Sequence, residues 1–329
     1  MLKCFASEST EIASIVSLQT KNSLIFYDIK DYIKDIFCAR SVVAAGSKVI
    51  VGVLVDKPIF VLLSQYKQPQ QKIMAINESF FYSPFRSFDY NMLDVYFSLN
   101  EMDEVLQNKF GGKIGEFVRV EFVRKSLVPT SNGISDDLKE LIACHDRVAV
   151  AAPMQVSETG FSQWGTKELN DFVYNIIQSA NKNPKDLFII KGKKNELSHL
   201  DDRNKKHLSK IKNIFTIHSV KPRLLKYNQF EDLLDVADII ISMSHTSTTI
   251  WQALAEDIPA IAINDAHPSS FLSDYDLVEI PSSNLPEVYK SWFDLDVHER
   301  RQKIRSLASK ANLGTSSGLA QIADYISNQ

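Results

Sequence analysis

ADIIISMSHTSTTIWQALAEDIPAIAIN, residues Ala237–Asn264, holds a complete strand, turn, helix and strand in succession. Ile239–Ser242 is a β-branched run of strand length, and it leads into Ser244-His245-Thr246-Ser247-Thr248-Thr249. Hydroxyl side chains favour a helix start because their oxygens accept backbone N–H groups that have no partner inside the helix. Ile250, Trp251, Leu254 and Ala255 then recur at helical spacing, and the apolar run Ile261–Asn264 follows. In an open α/β sheet such a turn lies at the carboxyl edge, where ligands bind. Free amides at the helix start, together with several hydroxyl donors, suit a phosphate, so the stretch predicts a nucleotide or sugar-phosphate site without a Gly-rich loop. The same hydroxyls also fit an ordinary helix N-cap that serves no ligand.

Outward from this unit, strand candidates alternate with helical patterns, as a parallel sheet requires. In the first half the predicted strands are Ser23–Tyr27, Val49–Val55, Ile59–Leu63, Ile73–Ile76, Asp94–Ser98 and Phe117–Val123. A helix at Glu101–Phe110 stops against Gly111-Gly112. Ser126–Gly133, SLVPTSNG, is the most linker-like stretch, and an amphipathic helix follows at Ile134–Cys144. The second series runs through strand Arg147–Ala152, helix Lys167–Ala180, strands Leu187–Lys191 and Ile214–His218, and helix Phe230–Val236 before the opening unit. Beyond it come strand Leu277–Ile280 and helices Leu285–Phe293, Val297–Ala311 and Gly318–Ser327, the last free to pack back on the first half. This order predicts an α/β protein of two domains, residues 1–133 and 134–329, with a ligand cleft between them. A length of 329 residues agrees, since it exceeds what one core usually serves.

A hydrophobic content of 44% and a net charge of −3 are those of an ordinary globular chain, and they argue against nucleic acid as a partner. Cys4, Cys38 and Cys144 are odd in number and far apart, so they read as reduced thiols in a cytoplasmic protein. Val49–Val55 is too short to span a bilayer, and no basic-then-apolar signal segment opens the sequence. Membrane contact, if present, is then expected to be peripheral.

The order of elements resembles the GT-B glycosyltransferases, whose two Rossmann-like domains face a central cleft and whose second domain holds the nucleotide-sugar. After residue 146 three pieces are similar to capsule-polysaccharide synthesis proteins, including bacterial Kdo transferases that use CMP-Kdo. They are the strand Val148–Ala152 continuing through Pro153-Met154-Gln155-Val156-Ser157-Glu158, the strand Leu187-Phe188-Ile189-Ile190-Lys191, and Phe230–Asp238 leading to the hydroxyl turn. In that family a helix carrying Glu-Ala-Leu follows the turn. Here the triplet reads Gln252-Ala253-Leu254, whose neutral amide can still hydrogen-bond a ribose hydroxyl. The family's His-Pro pair after the Lys strand is replaced by Gly192-Lys193-Lys194, and His267-Pro268 stands far downstream.

The resemblance implies a glycosyltransferase of bacterial capsule or lipopolysaccharide biosynthesis. Its substrates would be a nucleotide-sugar donor, CMP-linked in the favoured case, and a glycan or glycolipid acceptor, with no cofactor required. Peripheral membrane or synthase-complex association would fit that role. Two alternatives stand beside it: a nucleotide-sugar 2-epimerase-like enzyme on the same fold, and an inactive GT-B partner that binds glycan.

Glycosyl transfer needs a stabilised leaving phosphate and either an activated acceptor hydroxyl or a carboxylate nucleophile. Glu158, in the loop after Arg147–Ala152, is the first candidate carboxylate, with Asp232 as the alternative and His267 as a proton donor. Lys191, Ser244, His245, Thr246, Ser247, Thr248 and Gln252 are the candidate donor-binding residues. Asn77, Glu78 and Arg86 flank the aromatic stretch Phe80-Phe81-Tyr82 and are the candidate acceptor contacts, because rings stack on sugars and Arg pairs hydroxyls or a carboxylate. Arg119 and Arg124 read as surface charges.

GxxxxGK[ST], a GxGxxG after a strand, and HExxH do not occur, which removes the usual signals for P-loop, dinucleotide and zinc-protease chemistry. Gly314–Gly318 matches GxSxG by letter but lies between two helical patterns, where a nucleophile elbow lacks its strand. Asp294-Leu295-Asp296 is likewise a DxD between helices, so no divalent metal is expected.

Overall fold

In a computed structural model of the chain, the residues described are 29–53, 59–76, 92–99, 101, 104, 113–121, 133–154, 165–192, 196–217, 230–243, 247–265, 278–313 and 318–328. The expected strand Ser23–Tyr27, most of the expected helix Glu101–Phe110 and nearly all of the linker-like stretch lie outside them.

The chain divides into two compact units. The first contains helix α1 (Ile29–Ala44), strand β1 (Val49–Val53), helix α2 (Ile59–Tyr66) and strands β2 (Lys72–Ile76), β3 (Met92–Ser98) and β4 (Lys113–Arg119). The four strands pair in the order β1-β2-β3-β4, all parallel. A parallel sheet covered on both faces needs continuous apolar strands. Ile73, Met74, Ala75, Tyr96 and Phe97 accordingly have no solvent exposure.

The expected strand Ile59–Leu63 is a correction, because IFVLLSQY forms helix α2. A short apolar run carries no period that separates a buried strand from a buried helix. Topology decides it, since β1 and β2 are parallel neighbours and their connection must cross back over the sheet. Leu62 and Leu63 then pack beside Ala39, Val43, Ile50 and Ile73. The strand expected at Phe117–Val123 begins instead at Lys113.

Asp94 ties this sheet together: its carboxylate accepts Lys67 Nζ at 2.6 Å and the backbone N–H of Ile73 at 2.7 Å. Across the next pair, Gly115 brings its backbone against the Asp94 carbonyl.

The second unit begins with helix α3 (Asp136–Ala143) and continues through strand β5 (Arg147–Ala152), helix α4 (Thr166–Lys182) and strand β6 (Asp186–Lys191). A 3-10 turn (Glu196–His199), helix α5 (Asp202–Leu208), strand β7 (Ile214–Ile217) and helix α6 (Phe230–Leu234) follow. The opening unit of the sequence is strand β8 (Ile239–Ser242), helix α7 (Thr248–Ala255) and strand β9 (Ala260–Ile263). Strand β10 (Glu279–Ile280) and helices α8 (Leu285–Asp294) and α9 (Val297–Lys310) complete it. The last helix, α10 (Gly318–Ser327), belongs to the first unit from Ala320 onward. Its Tyr325 donates to Glu116 of β4 at 2.6 Å and meets Phe97 edge to face at 5.5 Å.

The six strands of the second unit lie in the order β10-β9-β8-β5-β6-β7, all parallel. Helix α4 buries Leu169, Phe172, Val173, Ile176, Ile177 and Ala180, a spacing of three and four that puts one apolar stripe on the core. At the amino edge, buried Asp186 accepts Arg147 Nε at 3.0 Å and the Tyr289 hydroxyl at 2.8 Å. Burial first, and then the Asp186 charge, push the Tyr289 phenol far above its usual range, so it stays a hydrogen-bond donor.

Gly115→Ala tests the close approach in the first sheet. A Cβ there would stand 2.7 Å from the Asp94 backbone oxygen, a contact the paired strand cannot yield without shifting. We expect a loss of about 1–3 kcal/mol, read as a lower urea midpoint at unchanged slope.

Candidate functional site

The strand order places the site. From β5 the chain builds outward through β6 and β7, then returns to the other side of β5 to lay down β8, β9 and β10. The connections leaving the carboxyl ends of β5 and β8 therefore run in opposite directions, and a crevice opens between them where open α/β sheets bind ligands. Ala152 and Ser242 are register partners at this edge, and Lys191 ends the next strand one residue beyond the pair Ala151 and Ile190. Two interstrand spacings put the backbones of Lys191 and Ser242 about 10 Å apart.

Helix α7 starts at this edge. Ser247 is its N-cap, and the Ser247 hydroxyl accepts the Thr249 N–H at 3.4 Å and shares a 2.7 Å hydrogen bond with the Thr249 hydroxyl. Thr248, half-buried, is the first helical residue. The first turn carries no acid, so the positive end of the helix dipole faces the crevice without a side-chain counter-charge of its own.

One turn in, Gln252 lies on the same helical face as Thr248 and is 6% exposed. Its Nε2 has no hydrogen-bond partner among the described residues. An amide hidden from water without an acceptor is costly, and native proteins keep few of them.

Lys191 supplies the charge. Its ammonium donates to the Gly192 carbonyl at 3.1 Å and makes no ion pair among the described residues. Burial holds this amine below the ordinary lysine range, opposed by the negative charges of Glu196 and Glu231. Glu196 is 1% exposed and sits so close to Gly192 that a Cβ there would meet its carboxylate at 3.1 Å.

These two acids were not legible as site residues. Glu196 stands in a charged stretch that reads as a solvated turn, and only the fold packs it beside the end of β6. Asp232, the alternative carboxylate, is buried to 3% in the first turn of α6. Glu158, His267, Ser244, His245, Thr246, Asn77, Glu78 and Arg86 lie outside the described residues. The structure thus brings Ser247, Thr248 and Gln252 together on one helix and sets Lys191 across β5 from them.

At the carboxyl edge of the first sheet, Arg119 holds the Glu104 carboxylate with two hydrogen bonds at 2.7 and 3.1 Å, and Ser98 donates to the same group at 2.8 Å. The Arg119 guanidinium keeps Glu104 below the usual carboxylate range. Glu121, just past that strand, keeps one carboxylate oxygen buried. Among the described residues no group of three or more His, Cys, Asp or Glu side chains could hold a metal ion, and no helix is long and apolar enough to cross a membrane.

No known family and no curated protein matches the sequence. Solved structures do match the fold. UDP-GlcNAc 2-epimerase from Neisseria meningitidis bound to UDP-GlcNAc is 13% identical with a TM-score of 0.59, over 94% of this chain and 84% of that one. MnaA from S. aureus with UDP is 10% identical with a TM-score of 0.62, over 95% and 85%. A UDP-forming α,α-trehalose-phosphate synthase from Burkholderia vietnamiensis is 8% identical with a TM-score of 0.59, over 92% and 76%.

These likenesses, with the two parallel sheets, show the GT-B fold expected from the sequence. They do not extend to Kdo transferases, and they correct the expectation of a CMP-linked donor, because the nucleotide named with each neighbour is UDP. The reason lies in what a hydroxyl turn can report: hydroxyls at a helix start suit a phosphate, which every nucleotide-sugar carries, and they say nothing of the base.

Gln252→Met separates a ligand contact from a structural one. Removing an unsatisfied buried amide at similar volume should leave the free protein as stable or up to about 1 kcal/mol more stable in thermal melts. A clear loss of stability would mean that Gln252 serves the fold.

Proposed function

We propose that this chain is a GT-B enzyme acting on a UDP-sugar, with residues 134–329 as the donor-binding part and residues 1–133 as the acceptor side. The observation that carries the reading is the gathering of donor groups at one switch point: the N-terminus of α7, the Gln252 amide, which has no partner among the described residues, and the Lys191 ammonium, held there by a single carbonyl. Ser244, His245, Thr246, Ser247 and Thr248 with Lys191 hold the diphosphate, and Gln252 takes a ribose hydroxyl. Asn77, Glu78 and Arg86 receive a glycan or glycolipid acceptor.

In glycosyl transfer the anomeric carbon forms a bond to the acceptor oxygen, the bond from that carbon to the β-phosphate oxygen breaks, and UDP leaves with one more negative charge. Lys191 and the helix amides stabilise that charge in this reading. The acceptor proton goes to a carboxylate, with Glu158 the first choice and Asp232 the alternative. His267 donates to a leaving-group oxygen.

A second reading, 2-epimerisation of the UDP-sugar with no acceptor, is favoured by coverage. The chain spans 84% and 85% of the epimerase and MnaA chains against 76% of the synthase.

Titration calorimetry and thermal shift with UDP, UDP-GlcNAc and CMP decide the binding claim. UDP should raise the melting temperature, by the equivalent of about 2.7 kcal/mol at one hundred times its dissociation constant, and CMP should bind more weakly. Gln252→Met should lower UDP affinity by roughly fivefold, one hydrogen bond's worth. Absence of binding by both UDP and UDP-GlcNAc would sink the proposal. Product analysis then separates the reactions: release of UDP only with an acceptor marks a transferase, and acceptor-free conversion with the UDP linkage intact marks an epimerase.

Lys191 adds a pH signature. Phosphate prefers the charged amine, and this amine loses its proton below the ordinary lysine range. UDP affinity should therefore decline on the alkaline side earlier than an ordinary lysine would allow. Lys191→Met should weaken binding at neutral pH and abolish that decline, whereas an unchanged alkaline limb would assign it to another group.

A further inference from the structure

We infer that the face formed by α5 and the start of β7 is a docking surface for an anionic lipid bilayer. Arg203, Lys205, Lys206, Lys210 and Lys212 are all exposed within ten residues, 203–212, that contain no acid, and the exposed carboxylates of Asp201 and Asp202 lie only at the head of α5. None of them makes an ion pair among the described residues, although the chain as a whole carries a net charge of −3. Surface lysines of an acidic protein readily find carboxylates, as Lys139, Lys167 and Lys182 do elsewhere in this unit. Four lysines that do not, beside Arg203 stacked over the Tyr174 ring at 4.7 Å, are a concentrated positive field.

Apolar surface lies among these charges. A cavity of about 280 Å³ opens beside Lys205, walled by Leu197, Leu200, Leu208 and Ile214. Leu208 and Ile211 remain half-exposed between the lysines. Cations interleaved with aliphatic groups match the headgroup and acyl boundary of a bilayer, where lysine stems lie along apolar surface and their ammonium groups reach phosphates. A single-stranded nucleic acid would need aromatic faces on which bases stack, and this cavity, whose four aliphatic residues are joined by Lys205, Ser209 and Thr216, has none in its lining. The charge complementarity therefore selects a lipid surface. Such docking would hold the enzyme where a lipid-linked acceptor is found, yet it stands apart from the UDP-sugar reading.

The test is co-sedimentation of the full chain with vesicles of phosphatidylcholine alone and with added phosphatidylglycerol. We expect pelleting only with the anionic vesicles, weakened by salt through screening. Each lysine near the surface contributes roughly fivefold in affinity, so Lys205→Gln/Lys206→Gln/Lys210→Gln/Lys212→Gln together should lose binding by well over tenfold. These side chains are exposed, and the variant should keep its melting temperature and its UDP affinity, which reports the donor site separately. Glycerol phosphate in solution should not displace the vesicles. Equal pelleting with neutral vesicles, full retention by the variant, displacement by glycerol phosphate, or preference for an oligonucleotide or an acidic peptide would each overturn the proposal.

Discussion

Strand β5 is hydrogen-bonded on one side by β6 and on the other by β8, and the second unit is arranged around that double pairing. Parallel neighbours cannot be joined by a tight turn, so every connection must cross the sheet and return. Building two strands to one side of β5 and three to the other forces two connections to leave adjacent carboxyl ends in opposite directions. The opening is thus a consequence of chain topology, not of any special residue, and a helix starting there turns the positive end of its dipole toward it.

Polar groups are treated differently at the two edges of this sheet. At the amino edge they are satisfied: Asp186 accepts from Arg147 and Tyr289, Asp238 accepts the Val148 N–H at 2.8 Å, and the Asn213 amide donates to the carbonyls of Ala180, Asn183 and Asp186. Arg147 also stacks over Phe293 at 4.3 Å. At the carboxyl edge, among the described residues, the Gln252 amide nitrogen has no acceptor and Lys191 is held by one carbonyl. One end of the sheet is closed for stability, and the other leaves hydrogen-bonding capacity unspent. That asymmetry locates function better than the identity of any one residue does.

Much of the second unit was legible in advance. Arg147–Ala152 and Ile239–Ser242 stand where the sequence pattern puts them, as does the closing helix Gly318–Ser327, because strand runs, helical spacing and caps act over a few residues. The first half was less legible. Ile59–Leu63 is uniformly apolar and becomes part of a helix only because β1 and β2 pair in parallel, and helix α1 went unread although Asp28, a favoured N-cap residue, precedes it and Ile29, Ile33, Ile36 and Phe37 recur at helical spacing. At the site, the Ser247 cap and Gln252 could be found from the local pattern. The acids beside Lys191 could not, since Glu196 is separated from its sequence neighbours' solvated character only by packing.

By itself the sequence determined the α/β alternation, the helix start at Ser247 and the likeness to a two-part nucleotide-sugar fold, all of which follow from short-range periodicity and capping. Tertiary structure alone decided the strand order, the return of Tyr325 to Glu116 and which polar atoms are left without partners. Those properties depend on groups tens to hundreds of residues apart, and a local pattern carries no record of what it will be packed against.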